Sequence, residues 1–265
     1  MAELEEQGMD IWEHIGELRK RLFKALLGLI AATLISFSIA PMLIDILAMP
    51  IGGTEALISI EMTENISTFM RVSLLSGFII ALPIIFYQIW AFVSPGLLDN
   101  EKRWLMMAIP LATLLFISGV LFAYFIMLPV TLPFLITFMG ITTTPRLINY
   151  FNFVTNLLFW VGVLFEMPLV TFILAKLGLI TAGGLLRHWR IALVVIAVVA
   201  AVVTPTGDPV NMGLLMLPLT LLYLLSVLFA VFARRPGGEE ARQPGKASKW
   251  KVWSRSKKKT PASGT

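Results

Sequence analysis

Long unbroken runs of apolar residues alternate along this chain with short polar stretches, and the runs are the length of membrane crossings. They predict six transmembrane helices near 23–40, 69–93, 104–128, 151–175, 189–203 and 210–232. The uncharged stretch from Trp104 to Pro145 is long enough to suggest two crossings. Beyond Pro129 and Pro133, however, only about a dozen apolar residues remain before Thr142-Thr143-Thr144-Pro145, too few to cross. Residues 129–150 are therefore predicted to form a loop with a short surface helix. The fifth run is short: the 13 uncharged residues 191–203 make about 20 Å of helix against a bilayer core of about 30 Å. Either Arg187, His188 and Arg190 snorkel, or the bilayer thins around this helix.

Composition supports a polytopic membrane protein, with 57% of the 265 residues apolar and 14% charged. The net charge of +5 is segregated along the chain. With six crossings both termini share a side with the loops at 94–103 and 176–188. That side collects Arg19, Lys20, Arg21, Lys24, Lys102, Arg103, Lys176, Arg187, Arg190 and ten basic residues of the tail. The other side holds Arg71 and Arg146, and its first loop carries Asp45, Glu55, Glu61 and Glu64. The excess of Lys and Arg places both termini in the cytoplasm; a seventh crossing would put the basic tail outside and is rejected. Glu3, Glu5, Glu6 and Asp10 have the wrong sign for a secretory leader, so the first run is read as a retained span. Three parts follow: a cytoplasmic amphipathic helix over 1–22, a transmembrane domain over 23–232, and a disordered basic tail over 233–265. In that tail Trp250, Trp253 and Lys257-Lys258-Lys259 can rest on anionic headgroups, although a topogenic role suits them better, and nucleic acid is not an expected partner.

The segment MDIWEHIGELRKRL has helical period, with Asp10, Glu13, Glu17, Arg21 and Lys24 on one stripe and Ile11, Ile15, Leu18 and Leu22 on another. It predicts a helix lying on the membrane surface and turning into the first span. Glu17 and Arg21 are spaced for an i,i+4 pair worth about 0.2–0.5 kcal/mol. Arg19 projects into the apolar stripe and needs a lipid phosphate or a carboxylate from another element. The second polar feature is the hinge FVSPGLLDNEKR at 92–103. Pro95-Gly96 ends the preceding helix, Asp99 or Asn100 can cap the next, and Glu101 falls in its first turn at the positive dipole end. Hinge and N-terminal helix together are read as one acidic receptor for an arginine-bearing peptide.

Glu166 sits within the fourth run, where an acidic side chain costs about 2.5–3.5 kcal/mol on insertion scales. Asn149, Asn152, Thr155, Asn156 and Glu166 fall on about a third of the helix circumference, predicting one wet face that lines a concavity. A protonated Glu166 bonded to a neighbouring helix is the plainer alternative. Asp208, in Thr204-Pro205-Thr206-Gly207-Asp208-Pro209, reads as a cap of the sixth span. No cysteine and only two histidines are present, and no phosphate loop, HExxH or GxSxG motif occurs. An enzyme, a cofactor and a metal site are therefore not expected, and driving force must come from partners or an ion gradient. The competing readings are a proton- or ion-coupled small-solute transporter using Glu166 and an intramembrane hydrolase. The hydrolase has no visible nucleophile–base or metal pair, and the absence of an internal repeat weakens an inverted-repeat transporter.

Five ordered blocks resemble the TatC family, the multispanning receptor of the twin-arginine protein translocase: HIGELRKRL at 14–22, SGFIIALPIIFYQIWAFVSPGLLDNEKR at 76–103, LFEMP at 164–168, LGLIT at 177–181 and the TPTGDP turn. The resemblance runs to about Arg235. It implies a concave, glove-like all-α protein of the bacterial or archaeal cytoplasmic (inner) membrane, with six helices and short fifth and sixth spans. It also implies that Glu17 and Glu101 pair with the two arginines of a signal peptide, and that Arg19, Phe92, Pro95 and Arg103 shape the site. Glu166 would be the polar residue of the concave face, near Asn152 and Asn156, and Pro50 and Asp208 would belong to an outer (periplasmic) cap. Implied partners are twin-arginine signal peptides of folded precursors, small single-span TatA-like and TatB-like subunits docking along the fifth and sixth spans, membrane lipids, and further copies within a hetero-complex. Leu224 stands where the family often has Glu, and the TPTGDP turn carries one residue more than the usual form.

Overall fold

The computed structural model describes residues 2–93, 99–137, 143–176, 178–203 and 209–233. Ten α-helices are described: α1 (Ala2–Ser36), α2 (Ala40–Ala48), α3 (Thr63–Val93), α4 (Asp99–Phe122), α5 (Leu128–Ile136), α6 (Leu147–Phe165), α7 (Met167–Lys176), α8 (Ala182–Arg187), α9 (Trp189–Val203) and α10 (Pro209–Phe232). Extended pairing among the described residues is limited to an isolated parallel bridge between Ile58 and Arg146. Thr63–Phe92, Met106–Ile136, Leu147–Lys176 and Met212–Phe232 are long and apolar enough to cross a bilayer. The pair His14–Ser36 and Ala40–Ile51, bent by 76°, adds a fifth, and Trp189–Val203 is a shorter apolar helix.

The expected turn between a surface helix and the first span is absent, because α1 is one unbroken helix of 35 residues. Its sequence contains no proline, and Gly8, Gly16 and Gly28 are isolated, so nothing stops the helical ladder. The first span ends at Ser36, and the chain then folds back through α2.

The predicted loop at 129–150 is corrected over its first part. The third span runs on through a five-residue π-helical turn, Ala123–Met127, into α5, which ends at Ile136. Prolines misled the reading here. Pro129 would clash with the carbonyl four residues back, but that residue, Phe125, lies inside the wider π turn, an adjustment lipid-embedded helices use to keep a proline. Leu128, Thr131 and Leu132 are buried, and the Thr137 N–H closes the helix on the Pro133 carbonyl at 3.0 Å.

The fourth span is interrupted at Glu166, which caps α6 before α7 begins. The fifth is short, as expected, with 15 residues in α9. The sixth is not: α10 has 24 residues, and its internal Pro218 does not shorten it.

Helices α1 and α3 pack antiparallel, with the end of α1 at Ser36 beside Ser76 and the end of α3 at Phe92 beside His14. Ser36 hydrogen-bonds Ser76, a Cβ on Gly77 would come within 2.5 Å of Thr33 Cα, and one on Gly28 within 2.9 Å of Ile84. Small residues let these backbones approach where lipid offers no hydrophobic drive for association. The main core joins α2, the π turn, α5, α6, α9 and α10 around Phe151, Leu128, Leu157 and Leu215. A smaller core of Ala108, Ala112 and Leu169, with Phe86, Trp90 and Ile173 against it, holds the end of α3 to α4 and α7.

Candidate functional site

The antiparallel pairing of α1 and α3 brings His14, twelve residues into α1, to the end of α3. There the imidazole of His14 stacks on the ring of Phe92, with centroids 4.4 Å apart and planes inclined by 25°. Glu17 lies three residues further along α1, just under one helical turn, and α4 begins six residues after Val93. The stretch of α1 around Glu17 and the beginning of α4, which carries Glu101, therefore lie towards one end of the molecule. The smaller core braces that end, since Trp90 and Phe86 anchor the last turns of α3 just before Phe92.

Glu17 accepts a hydrogen bond from Arg21 Nε at 2.9 Å, the predicted i,i+4 pair, and its side chain remains 32% exposed. Such a pair is worth a few tenths of a kcal/mol, so an incoming guanidinium can displace it. Arg19 is exposed, as are Ile15, Leu18, Leu22 and Phe23 around it, so this helix face is open to lipid or to a ligand. Glu101 and Arg103 fall in the first turns of α4, with side chains outside the described residues, and Pro95 lies outside them altogether. His14 is the residue that sequence reasoning passed over. Its signal was present, because it stands in the same HIGELRKRL block and within a turn of Glu17.

The polar face of α6 divides in two. Asn149, Asn152 and Asn156 line a cavity of about 320 Å³ with Thr143, Pro145 and Ile51. Thr155 instead turns into the core and donates to the Phe151 carbonyl at 2.6 Å. Glu166 does not line that cavity. It is 9% exposed, near the Phe116 backbone of α4, and its Oε1 has no hydrogen-bond partner among the described residues. The expected single wet face is therefore two separate polar places.

At the opposite end of the bundle from the His14–Phe92 stack, α2 and two 3₁₀ turns (Met49–Ile51 and Thr54–Ala56) form a cap. Pro50 sits in the first of these turns; Asp208 lies outside the described residues. Gly52 and Gly53 both take positive φ, +100° and +98°, which the reversal between the turns requires. Tyr124 and Tyr150 donate to the consecutive carbonyls of Ile46 and Leu47, each at 2.7 Å. Arg146 donates through Nε to Glu64 and through a terminal nitrogen to Glu61, each at 2.6 Å. Those hydrogen bonds, the Glu64 one foremost, push its already basic guanidinium further above its ordinary range. Among the described residues no three His, Asp or Glu side chains gather as a metal set.

Residues 13–218 match the family model for TatC, the Sec-independent protein translocase protein. The chain is 32% identical to the Sec-independent protein translocase protein TatC of Carboxydothermus hydrogenoformans, over 87% of this chain and 96% of that one. It is 38% identical to the protein of the same name from Campylobacter jejuni, over 81% and 91%. A crystal structure of the twin arginine translocase receptor TatC superposes with a TM-score of 0.73 at 36% identity, covering 84% of this chain and all (100%) of that one. The same receptor in the detergent DDM gives 0.74 at 35% identity, over 82% and 99%.

Proposed function

The chain belongs to the TatC family of Sec-independent protein translocase proteins, multi-pass membrane components of the Tat translocase rather than enzymes, and on that premise we propose that the end carrying His14, Glu17 and Phe92 is a receptor for twin-arginine signal peptides. Glu17 and Glu101 take one guanidinium each, and Arg19, Phe92, Pro95 and Arg103 shape the surface around them. The observation that carries this reading is the stack of His14 on Phe92, which joins the two acidic segments at one end.

Magnitudes favour the exchange. A hydrogen bond to a charged group contributes about 1.5–3 kcal/mol when partly desolvated, against a few tenths for the helical Glu17–Arg21 pair it displaces. Lysine substitutes poorly, because it lacks the bidentate fork. With α9 counted as a crossing there are six, and both termini lie in the cytoplasm of a bacterial or archaeal cell, at its cytoplasmic (inner) membrane. Small TatA-like and TatB-like subunits and further copies of this chain complete the complex.

Crosslinking a twin-arginine signal peptide to photoreactive residues at positions 17 and 101 tests the proposal. Adducts are expected at both, and Glu17→Ala with Glu101→Ala eliminates peptide binding while the protein still inserts. Unchanged binding in that double variant refutes the assignment. A transporter coupled through Glu166 would need a polar path from that residue, and Glu166 is separate from the asparagine-lined cavity. Glu166→Ala would abolish solute flux under that reading and leaves signal-peptide crosslinking intact under this one.

A further inference from the structure

We propose that the basic tail of this chain, residues 246–259, folds back onto the N-terminal part of α1 and occupies the receptor end as a weak stand-in for a signal peptide. The inference rests on the receptor reading above and adds a regulation to it. The tail itself lies outside the described residues. Its docking follows from where α10 ends, from chain length and from charge.

The described chain stops at the same end of the molecule as the His14–Phe92 stack. Ile173 of α7 packs against the small core that also holds Trp90 of α3, and the neighbouring Phe172 meets the ring of Phe229 in α10, with 6.4 Å between centroids. Helix α7 thus stands between the ends of α3 and α10. The two interhelical spacings of about 8–10 Å each make roughly 20 Å. Ala233, its N–H bonded to the Phe229 carbonyl at 2.9 Å, is one turn further out. From there to Lys246 is 13 residues, up to about 45 Å of extended chain, which is ample for the gap.

Charge and apolar surface select the docking face. His14 is the α1 residue that meets the end of α3, so residues 2–13 carry α1 about 18 Å past it. Glu3, Glu6, Asp10, Glu13 and Glu17 follow one another at spacings of three and four, along one side of the helix. Residues 2–17 carry six carboxylates and no Lys or Arg, whereas residues 246–259 carry seven Lys and Arg and no Asp or Glu. Near Glu17, Ile15 and Leu18 are 50% and 45% exposed, and Trp250 and Trp253 supply rings to cover them. Anionic headgroups repel so acidic an arm, and a cationic segment of the same chain relieves that repulsion.

The contact is suited to being displaced. Six of the seven cations are lysines, which lack the bidentate fork of arginine. Tethering supplies an effective concentration of about a millimolar, enough to populate a weak contact while the receptor is empty. A twin-arginine peptide then competes it away.

The test uses the full chain, one copy per nanodisc of phosphatidylcholine with a minor fraction of phosphatidylglycerol, carrying a photoreactive residue in place of Leu18. Without peptide, adducts to residues 246–259 are expected, and a twin-arginine signal peptide suppresses them. Replacing the seven tail cations by Gln removes the adducts and tightens signal-peptide binding about twofold to tenfold, as release of a tethered competitor requires. Should those substitutions prevent insertion, cleavage at a protease site placed after Gly238 removes the tail from the inserted protein, and the same gain is expected. Adducts to lipid in place of the tail overturn the proposal, as does a signal-peptide affinity unmoved by loss of the tail. Failure of the receptor reading looks different: the signal peptide then binds neither form, and adducts at position 18 still decide the docking of the tail.

Discussion

Arg146 reaches back across 82 positions to Glu64, its Nε donating at 2.6 Å to a carboxylate that is only 3% exposed. The same oxygen, Oε1, also accepts from the backbone N–H groups of Ile60 and Glu61 at 3.3 and 3.1 Å. The backbone bonds of Ile58 with Pro145 and Leu147 fasten the same two segments. Removing the guanidinium strands a buried charge, whereas removing both partners does not. Arg146→Met is expected to lower the melting temperature in detergent clearly, and Glu64→Gln in that background to recover part of the loss. A double variant worse than the single one contradicts this account.

The tyrosines of the cap give a second expectation. Tyr124 leaves the π turn and Tyr150 leaves α6, yet both hydroxyls end on neighbouring carbonyls of α2. Tyr124→Phe and Tyr150→Phe should each cost about 0.5–1.5 kcal/mol. Together they should free the segment 49–60, seen as faster labelling of a cysteine placed at exposed Ile60.

On the proposed receptor reading, the His14–Phe92 stack predicts a change in affinity without a change in fold. His14→Ala or Phe92→Ala removes an aromatic pair worth about 0.5–1.5 kcal/mol, so signal-peptide affinity should fall about two- to tenfold. His14→Phe should retain most of it. Peptide titration against the purified protein distinguishes these variants, and melting curves should barely move because His14 is exposed.

Close helix crossings set the fourth expectation. A Cβ on Gly162 would lie 2.6 Å from the Phe116 ring, and one on Gly77 would lie 2.5 Å from the Thr33 backbone. Gly162→Val should destabilise by about 1–3 kcal/mol through overpacking. Gly77→Val should do the same and also separate α1 from α3, weakening peptide binding; Gly162→Val tests only stability. A Gly77→Val protein with wild-type peptide affinity would break the proposed link between that crossing and the peptide site.

Much of the fold could be read from the chain. The ends at Val93, Val203 and Phe232 coincide with the observed helix ends. At each of these points the apolar run stops at charge, proline or glycine. The reading failed where proline sits inside lipid-embedded helix. Pro129 reads as a breaker, but the π turn before it absorbs the lost donor and α5 continues. It failed again at Glu166, grouped by helical wheel with Asn152 and Asn156. Glu166 lies instead near the Phe116 backbone of α4, and a wheel does not show which helix each part of a face meets.

By itself the sequence determined that this is a helical membrane protein and where most of its crossings lie. Hydrophobic length and charge asymmetry are local quantities, and the parity of crossings follows from counting them. Only the tertiary structure decided that His14 meets Phe92, that Tyr124 and Tyr150 hold α2, and that Arg146 pairs with Glu64. Those contacts depend on the register and depth at which whole helices pack. That register is set by small residues such as Gly77 and Gly162, whose effect appears only when the facing helix is in place.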